Sequence, residues 1–166
     1  MKPIIERKGL AERLDAAFLE PAPPIETVYN LGHADLGGEQ QFFCFTAHKL
    51  RCSDPTAFFA RAVALTWEDA TVGEDGAPFP GLRQLARADL STPGYLEQRE
   101  DMLSGEWTDE TADRDFQALC GKVELSKLRS LRPVLRIQQT VSKWNCLRFI
   151  WETDSHWVFA EWSTSA

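Results

Sequence analysis

The chain has 166 residues, of which 43% are hydrophobic and 26% charged, and its formal net charge is −7. This composition is typical of a folded globular protein and excludes an intrinsically disordered chain, which is poor in apolar residues. The longest apolar runs, such as Trp157–Ala160, are too short for a membrane span or an export signal. The negative charge argues against nucleic acid and against an anionic membrane as the main partner. We therefore predict a single cytoplasmic domain over residues 1–166.

The first part of the chain predicts helices around a buried strand. Apolar residues recur at helical spacing from Leu10 to Phe18, which predicts a helix over about residues 3–19. Thr27–Leu31 predicts a short strand, and Gln41–Leu50, apolar on both alternating faces, predicts an inner strand. Asp54 followed by Pro55 is typical of a helix start, because Asp caps the first amides and proline fits the first turn.

The middle of the chain predicts further helices, and its end predicts strands. Glycines and prolines over residues 67–80 indicate a surface loop, and helix starts are predicted at Thr92-Pro93 and at Trp107–Glu110. Beyond Pro133 the apolar period changes to two, which indicates strands. Asp154-Ser155 predicts the turn of a hairpin between residues 144–153 and 156–164. The fold class predicted is α+β, with helices in the N-terminal and middle parts and a C-terminal antiparallel meander or hairpin packed against them.

Cysteine and histidine spacing suggests no metal site. Cys44, His48 and Cys52 follow one another at intervals of four, but an extended strand would separate the two cysteines by about 26 Å. The same geometry places the His48 ring too far from the Cys44 thiol to activate it. We interpret the four cysteines, which include Cys120 and Cys146, as reduced core thiols, and predict no metal, no cofactor and no catalytic residue.

The glycine-rich stretch Gly32–Gly38 holds His33 and Asp35, which could serve as a base and its orienting partner. The glycines match no phosphate-binding pattern, so we interpret the stretch as a turn. The carboxylates of Asp109 and Asp113 would share a helical face, which we interpret as solvated.

Charge is distributed unevenly along the second half of the chain. Eight of the acidic residues lie between Glu97 and Asp115, and seven basic ones between Lys122 and Arg148. We predict a recognition surface for a basic protein partner in the acidic stretch, with exposed tryptophan as an anchor. Its residues are Glu97, Glu100, Asp101, Glu106, Asp109, Glu110 and Trp107. Such a domain would neutralise or escort its partner, as small acidic immunity proteins, antitoxins and secretion chaperones of bacteria do.

Three alternatives stay open. The first is an enzyme or small-molecule binder with a pocket between sheet and helices, served by His33, Asp35, His48 or His156. The second is a structural subunit of a homo-oligomer that buries the hairpin edge. The third is internal pairing of Glu110 or Asp113 with Arg132 or Arg136, which would neutralise the recognition surface.

Six tryptophans occur in the chain, and four of them fall in its last 23 residues. Because side chains alternate along a strand, we expect the hairpin tryptophans to divide between the two faces. One group would cover the core, and the other would meet solvent or a partner.

Overall fold

The computed structural model describes residues 3–19, 25–69, 96, 100, 103, 107, 112–122, 131 and 134–164. The elements within them, in chain order, are α1 (Leu10–Leu19), β1 (Glu26–Leu31), α2 (His33–Leu36), β2 (Gln40–His48), α3 (Pro55–Asp69), α4 (Ala112–Lys122), β3 (Arg136–Lys143), β4 (Cys146–Glu152) and β5 (His156–Thr164). The α+β class and the C-terminal meander are confirmed. The loop predicted over residues 67–80 was wrong at its start, because α3 continues to Asp69. Residues 70–80 and the helix start at Thr92-Pro93 lie outside the described residues.

The five strands form one antiparallel sheet in the order β1-β2-β5-β4-β3. Strands β3, β4 and β5 make the meander, and β2 joins it by pairing with β5 along its whole length, from Gln40 opposite Thr164 to His48 opposite His156. Strand β5 therefore lies in the centre, while β1 and β3 form the two edges of the sheet.

Both faces of the sheet are covered by helices. One core contains Phe43, Phe45 and Phe159 under α1 and α3, and the other contains Phe42 and Phe149 under α4. We call them the α1/α3 core and the α4 core. The inner-strand prediction for β2 is confirmed, because its successive side chains enter the two cores alternately.

Local capping sets the start of α3 as predicted. The Asp54 carboxylate accepts hydrogen bonds from the amides of Thr56 and Ala57, at 2.9 and 3.3 Å. Satisfying amides that have no partner within the helix stabilises such a start by roughly 1 kcal/mol.

The first helix begins later than predicted. It starts at Leu10, and Gly9 has a φ of 76°, which a helix does not permit. Before it, the amides of Ile4 and Ile5 both donate to the side-chain oxygen of Gln138 on β3, at 3.0 and 3.1 Å. Residues 3–8 are therefore held by a strand more than 130 residues away in sequence, and the prediction of helix over them was wrong.

The predicted turn at residues 32–38 contains the single helical turn α2. The amides of Asp35 and Leu36 donate to the carbonyl of Gly32, and Gly37 and Gly38 follow with φ values of 72° and 60°. These left-handed conformations reverse the chain into β2, which is why glycine is suited to both positions.

The tryptophans of the meander divide between the two faces, but the expectation that one face would leave its tryptophans to solvent or a partner was wrong, because both faces are covered by helices. Trp151 and Trp162 enter the α4 core and Trp157 the α1/α3 core, whereas Trp144 is 75% exposed. Trp144 lies in the turn between β3 and β4 rather than in a strand.

A buried ion pair lies on the α1/α3 side of the meander. Arg148 and Glu161 stand opposite each other on β4 and β5, and Nε of the arginine donates to the carboxylate at 2.6 Å. Burial disfavours the charge on Arg148, but the Glu161 carboxylate more than offsets this effect, so the pKa of Arg148 is raised.

None of the described helices is long and apolar enough to cross a membrane.

Candidate functional site

The acidic segment, which we define as residues 97–115, is anchored to the α1/α3 side of the sheet. Leu103 and Trp107 pack against the α1/α3 core, and the Arg7 guanidinium lies 4.8 Å from the centroid of the Trp107 ring. Arg7 follows Ile5 by two residues, and the backbone of Ile5 is bonded to Gln138 of β3. This anchor therefore lies beside the β3 edge.

The other end of the acidic segment is anchored to the opposite face. The side-chain amide of Gln139 on β3 donates to Asp115 in α4, at 2.9 Å. The next residue, Phe116, is buried edge-on against Phe149 and Trp151, with ring centroids 5.8 and 5.1 Å away. Gln139 of β3 thus binds the acidic segment directly at Asp115, whereas Gln138 binds the stretch before α1 that contacts Trp107 through Arg7.

The structure describes two of the seven predicted recognition residues. Glu100 is exposed, and Trp107 is half-buried, so the Trp107 ring serves to hold the segment in place. The other five, Glu97, Asp101, Glu106, Asp109 and Glu110, lie outside the described residues. Their part in binding stays a prediction.

Arginines of the basic stretch bind carboxylates of the C-terminal strands. Arg136 donates to Glu152 at 2.5 Å, and Arg148 donates to Glu161. Glu152 also binds Lys49, at 2.7 Å. Although partial burial raises its pKa, hydrogen bonds and charge from Lys49 and Arg136 outweigh this, and the pKa of Glu152 is lowered. The other members of the predicted internal pairing, Arg132, Glu110 and the side chain of Asp113, lie outside the described residues.

The histidines of the alternative hypothesis do not all come together. His48 and His156 are cross-strand neighbours whose ring centroids lie 4.9 Å apart. Asp35 lies in α2 at the opposite end of β2, which spans about 26 Å at the usual rise of a strand. A pocket served by Asp35 together with His48 or His156 is therefore not formed, and the side chain of His33 lies outside the described part.

The hydrogen bonds of the His48–His156 pair do not suit metal binding. Nδ1 of His48 accepts the amide of Leu50 at 3.1 Å, whereas a ligating histidine normally donates from its second nitrogen. Nδ1 of His156 is bonded to the Ser155 hydroxyl at 2.7 Å. No cluster of three or more His, Cys, Asp or Glu side chains that could hold a metal occurs among the described residues.

Partial burial lowers the pKa of His156, and the neighbouring His48 lowers it further, while Glu26 opposes both effects. A histidine with a depressed folded pKa takes up protons more readily when unfolded. Its contribution to stability is therefore present above the unfolded value of 6.5 and is lost as the pH falls through the folded pKa.

A His156→Gln variant is accordingly expected to lose part of the stability difference that the wild type shows between neutral and mildly acidic pH. Urea unfolding on both sides of the unfolded histidine pKa measures this difference. Glu39→Gln, an exposed substitution at the other end of β2, is the control and should keep the pH dependence of the wild type in this range. Equal pH dependence in all three proteins would contradict the prediction.

The described thiols are not poised for nucleophilic chemistry. Cys44 and Cys52 are buried, and burial raises the pKa of both thiols. Burial, with the nearby Glu161 carboxylate, raises the pKa of Cys146 to about 12. Since the thiolate is the nucleophile, the raised pKa values disfavour the reactive form of these groups, which agrees with the interpretation of them as core thiols. The side chain of Cys120 lies outside the described part.

Comparison with known proteins found no matching family model and no significant match among curated proteins or solved structures.

The roles of Gln138 and Gln139 and the exposure of Trp144 were not predicted from the sequence. Polar residues within an apolar strand were the signal for the two glutamines, since a buried amide needs a specific partner. For Trp144, the signal was its place between two runs of alternating residues.

Proposed function

We propose that this protein is a non-catalytic binding domain that engages a basic protein partner through the acidic segment and neutralises or escorts it. The observation that supports the proposal is the double anchoring of the segment. Leu103 and Trp107 pack on one face of the sheet and Asp115 is bonded on the other, while Glu100, three residues before Leu103, is exposed.

These contacts matter because carboxylates carried by a chain that is held at several points bind at a smaller entropic cost than those of a mobile acidic tail. Attraction between opposite charges also accelerates encounter with a basic surface and makes it dependent on salt. The net charge of −7 adds a long-range field of the same sign. Bacterial immunity proteins, antitoxins and secretion chaperones offer a functional analogy based on composition.

The test is affinity capture from the protein's own cell extract with charge-matched variants. The site variant is Glu97→Gln, Glu100→Gln and Asp101→Asn. The control variant is Glu12→Gln, Glu39→Gln and Asp154→Asn, all at exposed positions. The wild type and the control should capture the same basic protein. The site variant should bind it roughly tenfold more weakly, which corresponds to about 0.5 kcal/mol for each charge removed.

Salt provides the second readout of the same experiment. Binding by the wild type should weaken steeply as salt rises, and binding by the site variant should weaken less, because fewer charges are screened. Equal losses in the site and control variants would mean that total charge rather than the acidic segment is recognised, and would reject the proposal.

The His48–His156 pair, with Ser155 bonded to His156, favours a second candidate, a small-molecule site at that end of the sheet. The same capture assay separates the two functions. A His48→Ala/His156→Ala double variant should retain the basic partner if the acidic segment is the recognition surface.

A further inference from the structure

Trp144 is exposed at a position where the fold has no need for tryptophan. It forms, with Asn145, the two-residue turn between β3 and β4, and it belongs to neither core cluster. Tight hairpin turns of the favoured types require a positive φ, but no described residue other than glycine has one. Neither packing nor backbone conformation therefore accounts for an indole here.

The turn that carries Trp144 is held firmly in place. The carbonyl of Asn145 accepts the amide of Thr164 on β5 at 2.9 Å, and the Arg148–Glu161 pair joins β4 to β5 behind the turn. Because the hairpin is braced in this way, presenting the indole to a partner costs little conformational entropy.

Trp144 lies at the end of the same edge strand that binds Asp115 of the acidic segment. Trp144 directly follows β3, five residues beyond Gln139, which binds Asp115 of the acidic segment. At the usual rise of a strand this separation is about 17 Å. A standard interface buries about 800 Å² on each partner, which is wide enough to include both features.

We propose that Trp144 anchors the basic partner by accepting an arginine guanidinium on its indole face, so that the partner contributes an arginine-rich segment to the interface. This inference rests on the proposed function and specifies the chemistry of the partner. Tryptophan is the strongest aromatic acceptor for a cation, and the planar guanidinium stacks on it better than an ammonium does.

The test is a titration of the protein with nona-arginine and nona-lysine peptides. Binding is measured by calorimetry and by the NMR signals of the tryptophan indoles. The indole signal of Trp144 should shift with nona-arginine. Trp144→Ala should weaken nona-arginine binding roughly three- to tenfold and nona-lysine binding less, because the stacking contribution is lost. Leu50→Ala, which removes an exposed side chain at the other end of the sheet, is the control and should bind both peptides as the wild type does.

The outcomes distinguish this inference from the proposed function. If Trp144→Ala binds nona-arginine as the wild type does while the acidic site variant binds it more weakly, the inference is overturned and the acidic surface stands. If the acidic site and control variants bind nona-arginine equally, the acidic surface fails. Equal losses in Trp144→Ala and Leu50→Ala would also overturn the inference. Thermal unfolding of Trp144→Ala should match the wild type, since the side chain is exposed.

Discussion

Replacing Glu161 with glutamine is expected to lower the free energy of unfolding by about 3–5 kcal/mol, because the Arg148 guanidinium would be left buried without its counter-charge. The side chains of the pair are only 9% and 11% exposed, so water cannot take over the role of the carboxylate. Urea unfolding at neutral pH, followed by far-UV circular dichroism, measures the loss.

A double variant separates the penalty for a stranded charge from the net contribution of the pair. Arg148→Met combined with Glu161→Leu removes both charges and keeps similar side-chain volume, and such replacements are often neutral or stabilising. We expect the double variant to be more stable than Glu161→Gln. A double variant that is the less stable of the two would show that the ion pair itself contributes substantially to the fold.

Replacing Trp151 with alanine is expected to be about as damaging, at about 3–5 kcal/mol, because a large buried ring would leave a cavity. The ring is 1% exposed, packs edge-on against Phe116 of α4, and donates its indole N–H to the carbonyl of Leu131. The melting temperature should fall by roughly 6–20 °C, which differential scanning calorimetry measures.

The Trp151 prediction has a consequence for binding. Phe116 follows Asp115, so loss of the Trp151 contact would loosen the α4 anchor of the acidic segment. Trp151→Phe, which keeps an aromatic ring, should recover most of the stability. Trp144→Ala is the matched control, since the same change at an exposed position should alter stability little. Comparable melting temperatures for Trp151→Ala and Trp144→Ala would contradict the assignment of Trp151 to the core.

Local rules predicted those parts of the fold that depend on neighbouring residues. Asp54-Pro55 started α3 because a cap and a first-turn proline act within one turn of helix. The period of two predicted the alternation of Phe149, Ile150 and Trp151 between the two cores, because side chains alternate along any strand. The acidic segment is visible in the sequence itself, whereas the contacts of Trp107 with Arg7 and of Asp115 with Gln139 could not be predicted from it.

The remaining contacts depend on pairing between segments that are distant in the sequence. The contact of Gln138 with Ile4 and Ile5 joins opposite ends of the chain, and no local pattern near residue 4 indicates it. His48 meets His156 only because β2 and β5 pair in one particular register. A shift of that register by one residue would place the two rings on opposite faces. These juxtapositions follow from strand order, which local sequence patterns do not reveal.

The central position of β5 has a consequence for synthesis on the ribosome. Strands β2 and β4 each pair with β5 on one side, yet β5 follows both of them in the chain. Until residues 156–164 have emerged, the nascent chain therefore exposes two unpaired strand edges, one of them on the phenylalanine-rich β2. Such edges are prone to association with other chains, so the interval before the last strand is made is when this protein most needs protection from aggregation.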